Sequence, residues 1–275
     1  MIILVQCKDR VGLVAAIAGV LSQHSLNIVS LREYVDKEQN RFFFRVQVEQ
    51  DAPAGLLEAA LQQVLPEDAV ILVNPRPEKK IVVLVTKEYH CLSDILVRHY
   101  FNTLGATVQA VIGNYDTLQD FCQRFSVPFH RVDYGGAHKD TSEQQLQELL
   151  AQYQPDYIVL AKFMRILSPE FVQQYSGRII NIHHSFLPAF AGAHPYRQAF
   201  ERGVKLIGAT AHFVTDELDE GPIIAQQIIP VNHSVTTTDM IKAGKEIETA
   251  VLARGLRMVF EDRVFIYRNK TVVFE

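Results

Sequence analysis

The chain reads as an α/β protein in two parts: an N-terminal α+β unit of ferredoxin-like order, then a mostly parallel, Rossmann-like sheet with helices on both faces. Three observations carry that reading. Apolar runs within residues 1–77 follow the order strand, helix, strand, strand, helix, strand. From residue 81 onward, short continuous apolar runs alternate with helical stretches, the pattern of strands buried on both faces. Between them, Asn74-Pro75-Arg76-Pro77-Glu78-Lys79-Lys80 holds two prolines, charges and no periodicity, which reads as a semi-rigid linker.

Taken in order, residues 2–7 predict the first strand and 11–24 a helix. Residues 27–35 and 42–48 predict strands, 54–65 the second helix and 69–73 the closing strand, with both helices on one face. The turn Asp9-Arg10-Val11-Gly12-Leu13 opens the first helix, where exposed amides can hold a small anion. This unit is assigned residues 1–77 and the second part 78–275. In the second part, 81–85 and 106–112 predict strands with a helix over 93–103 between them. A helix over 118–125, a strand over 128–132 and a helix over 142–153 follow. Residues 156–161 and 178–182 are further apolar strands, and 237–261 predicts a long amphipathic helix ahead of a hairpin turning near Asn269-Lys270. Ligands of such sheets gather beyond the carboxyl ends of the strands, where Asn181 and His183 fall.

Bulk properties narrow the function. The 275 residues are 48% hydrophobic and 21% charged, the balance of an ordinary soluble protein, and a net charge of -4 offers no electrostatic footprint for nucleic acid. The start, Met1-Ile2-Ile3-Leu4-Val5-Gln6-Cys7-Lys8-Asp9, lacks a basic n-region and a cleavage site. No run nears the roughly 20 apolar residues of a membrane span. A cytoplasmic protein without membrane partners is expected. Cys7, Cys91 and Cys122 lie far apart without a C-x-x-C pair, so reduced, buried thiols are expected rather than a disulfide framework.

The chemistry concentrates in Asn181-Ile182-His183-His184-Ser185-Phe186-Leu187-Pro188 and in Leu218-Asp219-Glu220-Gly221-Pro222. Acyl transfer needs a proton-transfer group, a partner that sets its charge and a neutral donor for an oxyanion. His183, Asp219 and Asn181 are those three residue types. On an extended chain Asn181 and His183 share a face, and His184 is expected to point away. Asp216, Glu217 and Glu220 read as a solvated acidic turn, whereas Asp219, between Leu218 and a Gly-Pro corner, is the one expected to face inward. His183, His184, His194 and His212 cluster in sequence but lack a zinc-hydrolase spacing such as H-E-x-x-H, so no metal is expected.

Four ordered motifs then resemble the folate-dependent formyltransferases: Asn181-x-His183, the turn ending Leu187-Pro188, Gly208-x-Thr210-x-His212-x-Val214 and Asp219-x-Gly221-Pro222-Ile223. The N-terminal Asp9-Arg10-x-Gly12-Leu13 and Leu26-Asn27-Ile28 resemble an ACT domain. The two together, with Val85-Thr86-Lys87-Glu88-x-His90-Cys91-Leu92, resemble the formyltetrahydrofolate deformylase family over essentially the whole chain. The resemblance implies hydrolysis of 10-formyltetrahydrofolate to formate and tetrahydrofolate, with Asn181, His183 and Asp219 as catalytic residues. It further implies one-carbon balance and formate supply for purine biosynthesis. The folate is then a substrate and no cofactor is required. Phe163-Met164-Arg165-Ile166-Leu167 matches the pterin-binding stretch, and Val214, Glu217 and Leu218 are the further folate contacts implied. In the ACT unit Asp9, Gly12 and Asn27 match effector-facing positions, implying glycine and methionine as effectors and a homo-oligomer through ACT pairing.

A transferase that passes the formyl group to another acceptor is the alternative. Against it, Thr86-Lys87-Glu88-Tyr89-His90-Cys91-Leu92-Ser93 holds no glycine where the glycinamide ribonucleotide enzymes carry a phosphate-cradling loop. The basic C-terminal domain of the tRNA enzymes is also not expected here. Water is the expected acceptor.

Overall fold

The structure is a computed structural model that describes residues 1–73, 78–134, 139–189 and 195–275, with backbone alone at 139, 140 and 195. Contacts divide the chain into two units. One holds Met1–Pro77 with Asp262–Phe265 and Val272–Glu275, the other Glu78–Glu261 with Ile266–Thr271.

In the first unit β1 (Ile2–Lys8), α1 (Leu13–Gln23), β2 (Ile28–Asp36), β3 (Arg41–Val48), α2 (Ala54–Val64) and β4 (Val70–Val73) follow the predicted order. The sheet runs β2-β3-β1-β4 with every neighbouring pair antiparallel. Alternate residues Ile3, Val5 and Cys7 of β1 and Phe42, Phe44 and Val46 of β3 share one core with Leu13, Ile17 and Leu21 of α1 and Leu57 and Leu61 of α2. Phe43, on the other parity of β3, is also fully buried, its ring 5.7 Å from that of Phe265. Beside it Arg45 Nε donates to the Asp262 carbonyl at 3.0 Å. Those contacts bring residues 262–265 into this unit, although the sequence alone places them with the second part.

The second unit is built on a seven-stranded sheet. Its elements are β5 (Lys79–Val85), α3 (His90–Tyr100), β6 (Ala106–Gly113), α4 (Gln119–Arg124), β7 (Phe129–Arg131), α5 (Lys139–Tyr153), β8 (Tyr157–Leu160), α6 (Pro169–Gln174), β9 (Ile179–His183), α7 (Pro195–Arg202), β10 (Leu206–Phe213), β11 (Ile223–Pro230) and α8 (Thr237–Phe260). A last hairpin pairs β12 (Val264–Tyr267) with β13 (Lys270–Val273). The large sheet has the order β11-β10-β9-β8-β5-β6-β7; β5 to β9 are mutually parallel, β10 runs antiparallel to β9, and β11 antiparallel to β10. The chain leaves β7 and re-enters beside β5 as β8, so the loops after β5 and β8 flank a switch point, where crevices form.

Several boundaries differ from expectation. Part of the predicted linker, 74–77, lies outside the described residues, while β5 already starts at Lys79. α3 starts at His90 rather than 93, which places His90 and Cys91 in its first turn. α8 starts behind a capping box, with Thr236 Oγ1 accepting from the Asp239 amide at 3.2 Å and Asp239 Oδ2 from the Thr236 amide at 3.1 Å. Neither α7 nor β10 is anticipated by the sequence patterns. β10 reads Gly208-Ala209-Thr210-Ala211 at its centre, where glycine and the alanines have weak strand preference and fit because both faces are buried. All three cysteines are buried and free.

Candidate active site

Strand register assembles the site. Asn181 and His183 lie two apart near the end of β9, and cross-strand pairing sets His212 of β10 opposite Asn181 and Thr210 opposite His183. On the other side Asn181 pairs with Leu160, the last residue of β8, so residues 161–167 leave the sheet beside it. The chain beyond β10 returns through residues 214–222. Gly221 is required there, since a Cβ would stand 1.8 Å from the Phe213 carbonyl oxygen. That close approach, with Phe213 N donating to the Pro222 carbonyl at 2.9 Å, folds the loop onto β10. Asp219, at φ 58, then turns its carboxylate inward.

His183 Nδ1 lies 3.2 Å from Asp219 Oδ1, with both side chains at least nine-tenths buried. Burial works to raise the Asp219 pKa, but the His183 hydrogen bond and the neighbouring imidazoles outweigh it and hold the carboxyl below its ordinary range. An ionised Asp219 fixes the His183 proton on Nδ1. Nε2 of His183 is then the lone-pair nitrogen; it is buried and, among the described residues, has no hydrogen-bond partner.

A second imidazole orients the amide. Nδ1 of His212 sits 2.8 Å from the Phe213 carbonyl, which accepts and so requires the proton there. Nε2 of His212 is therefore an acceptor, 3.1 Å from Asn181 Nδ2. Burial first, against the pull of the Phe213 carbonyl and Asp219, pushes the His212 pKa down and keeps the ring neutral. The Asn181 amide is thus held with its NH2 toward His212, leaving one N–H for a ligand. Thr210, fully buried, donates to the Ser185 carbonyl at 2.8 Å and accepts from the Leu187 amide at 3.1 Å. It ties down the turn after His183, in which the Leu187–Pro188 peptide is cis.

Asn181, His183, His212 and Asp219 line a cavity of about 290 Å³ together with Phe163, Met164, Arg165, Ile166, Leu167, Val214 and Leu218. Phe163 and Leu167 point into the core, whereas Met164, Ile166 and Leu218 stand 52%, 61% and 58% exposed. Three large apolar side chains left open around one cavity form a wall suited to a flat aromatic ligand. The loop is pinned by its own polar contacts: Met164 N donates to Thr86 Oγ1 at 3.0 Å, Ile166 O accepts from the Tyr134 hydroxyl at 3.2 Å, and Ser168 N donates to Glu143 at 2.7 Å.

Glu217 is exposed, between the cavity-lining Asp216 and Leu218, and a hydrogen bond with Glu220 raises its pKa. One expectation needs correction. His184 does not point away. β9 ends at His183, so strand alternation no longer applies, and the two rings lie 5.2 Å apart with His184 also lining the cavity. Burial drives the His184 pKa down to about 3. His194 lies outside the described residues. The sequence patterns also pass over Lys162, Tyr196 and Glu248, buried polar residues beside the site whose neighbours on the chain carry no recognisable spacing. His212 and Thr210 carry a signal, the two-residue spacing of Gly208, Thr210, His212 and Val214, but not their roles.

In the first unit, Gly12 caps α1 in a left-handed conformation, Asp9 N donates to the Asn40 carbonyl at 3.0 Å, and Asn27 Nδ2 donates to Glu49 at 3.2 Å. Gly12 and Asn27 are exposed and Asp9 half-buried.

Comparison with known proteins identifies the family. Residues 79–256 match the formyl transferase family and residues 1–66 the ACT domain family. The formyltetrahydrofolate deformylase of Escherichia coli K12 is 49% identical over 267 residues, 97% of this chain and 95% of that protein. The chain belongs to the formyltetrahydrofolate deformylase family. A crystal structure of a family member from Pseudomonas syringae superposes with a TM-score of 0.95 at 37% identity, covering 100% of this chain and 94% of that one. By contrast, glycinamide ribonucleotide transformylase 1 of Symbiobacterium toebii covers 73% of this chain and 96% of its own, at 30% identity and a TM-score of 0.68. The part shared with the transformylase is about the length of the second unit. Among the described residues no helix is long and apolar enough to cross a membrane.

Proposed function

We propose that this deformylase-family chain hydrolyses 10-formyltetrahydrofolate to formate and tetrahydrofolate. The observation that carries the reading is the unpartnered, buried Nε2 of His183, whose other nitrogen is held by an ionised Asp219 at the wall of an apolar cavity. In this reading the folate rings rest on Met164, Ile166 and Leu218, bringing the formyl carbon beside His183 and Asn181. Water attacks that carbon while His183 Nε2 takes its proton. The free N–H of Asn181 donates to the oxyanion that forms. The carbon–nitrogen bond then breaks and the proton on Nε2 passes to the folate nitrogen. The balance is one water consumed and one tetrahydrofolate and one formic acid formed, the latter ionising in solution. Asp219 supplies orientation and counter-charge throughout. The folate is consumed as substrate, so the scheme uses no cofactor, and the formate would be available for purine assembly.

The ACT unit is assigned a regulatory role: amino acids of the glycine and methionine class, held near Asp9, Gly12 and Asn27, set the turnover rate, and a pair of such units forms the oligomer. Unchanged turnover and unchanged oligomer size on adding either amino acid would refute this part. The reaction itself is tested by incubating the purified protein with 10-formyltetrahydrofolate alone. Formate release without any acceptor is the result expected; turnover that depends on an added amine would establish a transferase instead.

A further inference from the structure

A second cavity, about 280 Å³, meets the first at Lys162, Met164 and His184. Its inner wall is a knot of buried polar groups around Glu248 of α8. Glu248 Oε2 is 2.8 Å from His90 Nε2 and 3.1 Å from Lys162 Nζ, and Oε1 accepts from the Tyr196 hydroxyl at 2.8 Å. The sequence makes room for this knot. A Cβ at Gly244, one turn before Glu248, would stand 2.2 Å from the Tyr196 ring. Burial would raise the Glu248 pKa, but the His90 bond, the Lys162 charge and the Tyr196 bond prevail and lower it to about 2.

One cation here has donors to spare. The Lys162 ammonium carries three N–H groups, and its one partner among the described residues is Glu248. His90 adds no donor: its Nε2 bonds Glu248, and its buried Nδ1 has no hydrogen-bond partner among the described residues, Glu88 standing 3.7 Å away. The remaining charges on the wall are paired, Lys245 with Glu88 at 2.7 Å and Arg197 with Glu201 at 2.9 Å. A metal does not suit the place. His90, Cys91 and Glu248 bring ligand atoms within 4.8 Å of one another, but burial and the Glu248 charge push the Cys91 thiol pKa up, and an ammonium already occupies the carboxylate.

We propose that this cavity is a port for a small carboxylate: formate made in the first cavity leaves through the second, held in passage by the Lys162 ammonium. The proposal rests on the hydrolase reading. While tetrahydrofolate fills the apolar cavity, the second product needs another way out, and formate is an acceptor-only anion matched to the N–H groups that Lys162 has left over.

The test is product inhibition by sodium formate in wild type, in Glu248→Gln and in the double variant Lys162→Met/Glu248→Gln, which keeps the cluster neutral. Formate should inhibit the wild type without competing with the folate substrate. Glu248→Gln, which frees the ammonium, should tighten the inhibition constant several-fold. The double variant should weaken it about tenfold relative to wild type, the scale of one charge-assisted hydrogen bond. Binding is also read directly, whatever the variants' activity, as a nuclear Overhauser effect from the formate proton to His90 and Met164 in the tetrahydrofolate complex. Inhibition constants equal in all three proteins, or formate proximity to neither residue, would overturn the port. A wild type that releases no formate would instead overturn the hydrolase reading.

Discussion

Asp219→Asn isolates the charge of the His183 partner from its shape. Asp219 sits at φ 58, where most side chains are strained by about 1 kcal/mol or more but asparagine is tolerated nearly as well as aspartate. The two are equal in size, so the loop held by Gly221 against the Phe213 carbonyl need not move. What changes is the bond at 3.2 Å to His183 Nδ1. The carboxylate accepts there and fixes the proton on Nδ1. The amide can turn its NH2 toward the ring, moving the proton to Nε2 and closing the lone pair that should receive the proton of water. A wrong tautomer in a His–carboxylate pair costs about 10⁴ in kcat. We therefore expect formate release to fall by about four orders of magnitude, with tetrahydrofolate affinity, measured calorimetrically, changed by less than about threefold, since the apolar wall is untouched. Nitrogen chemical shifts of the labelled imidazole report the tautomer directly. A variant that keeps more than a tenth of wild-type kcat with the proton moved to Nε2 would refute the assignment of Nε2 as the base.

The other expectations follow from individual contacts. Asn181→Ala should lower kcat by about two to three orders of magnitude and leave KM nearly unchanged, because the lost donor acts on the oxyanion; equal losses in kcat and in folate binding would count against that role. His212→Phe puts a slightly larger apolar ring in place of the imidazole and removes the acceptor that orients Asn181 at 3.1 Å, so kcat should fall about tenfold, the worth of one hydrogen bond, with the His183 tautomer unaltered in the nitrogen spectrum. Gly221→Ala drives a methyl into the Phe213 carbonyl and should cost about 1–3 kcal/mol in urea unfolding together with activity, since Asp219 rides on the same loop. Acid should weaken the fold in two stages. His184 is depressed from 6.5 to about 3, so the unfolded chain takes up its proton first and stability falls as pH drops below about 6.5. Glu248 is depressed from 4.5 to about 2, so its share, about 3 kcal/mol when fully present above pH 4.5, is lost as pH falls toward 2. Denaturant midpoints that stay flat from pH 7 to pH 4 would contradict the His184 part.

How much of this was legible in the chain depends on whether the physics is local. The strand order of the first unit is written in period-two and period-3.6 patterns, and β5, β6, β8 and β9 announce themselves as short apolar runs. Asn181, His183 and Asp219 were readable because each sits beside a structure-setting feature, a strand end for the first two and a Gly-Pro corner for the third. Illegible parts depend on cross-strand register or on helix docking. The centre of β10 is glycine, alanine and threonine, and its identity as a strand comes from burial between β9 and β11. His184 escaped the alternation rule because its strand had already ended. Glu248 sits within an amphipathic helix where a carboxylate normally marks the solvent face; only the tertiary convergence of His90, Lys162 and Tyr196 turns it inward.

That convergence bears on why water is the acceptor. The catalytic geometry alone, an oriented amide and a histidine with one nitrogen held by aspartate, serves an amine nucleophile as well as water. The difference has to lie in what adjoins it. Here the loop after β5 carries Glu88 and the first turn of α3 carries His90, with no glycine between, and both are engaged with α8: Glu88 with Lys245, and His90 with Glu248. The second cavity, which adjoins the first at His184, is thereby lined by carboxylates already paired with groups of the wall, leaving Lys162 as the one buried charge there with N–H groups to spare, a wall suited to a small anion. The Lys162–Glu248 pair is buried, and breaking such a pair on one side costs about 3–5 kcal/mol, so this part of the wall resists remodelling by a bulky ligand. Replacing both Glu88 and Glu248 by glutamine should therefore admit small amines such as hydroxylamine as acceptors, read as formhydroxamate formation beside formate release. Strict formate production by that variant would show that acceptor choice is set elsewhere.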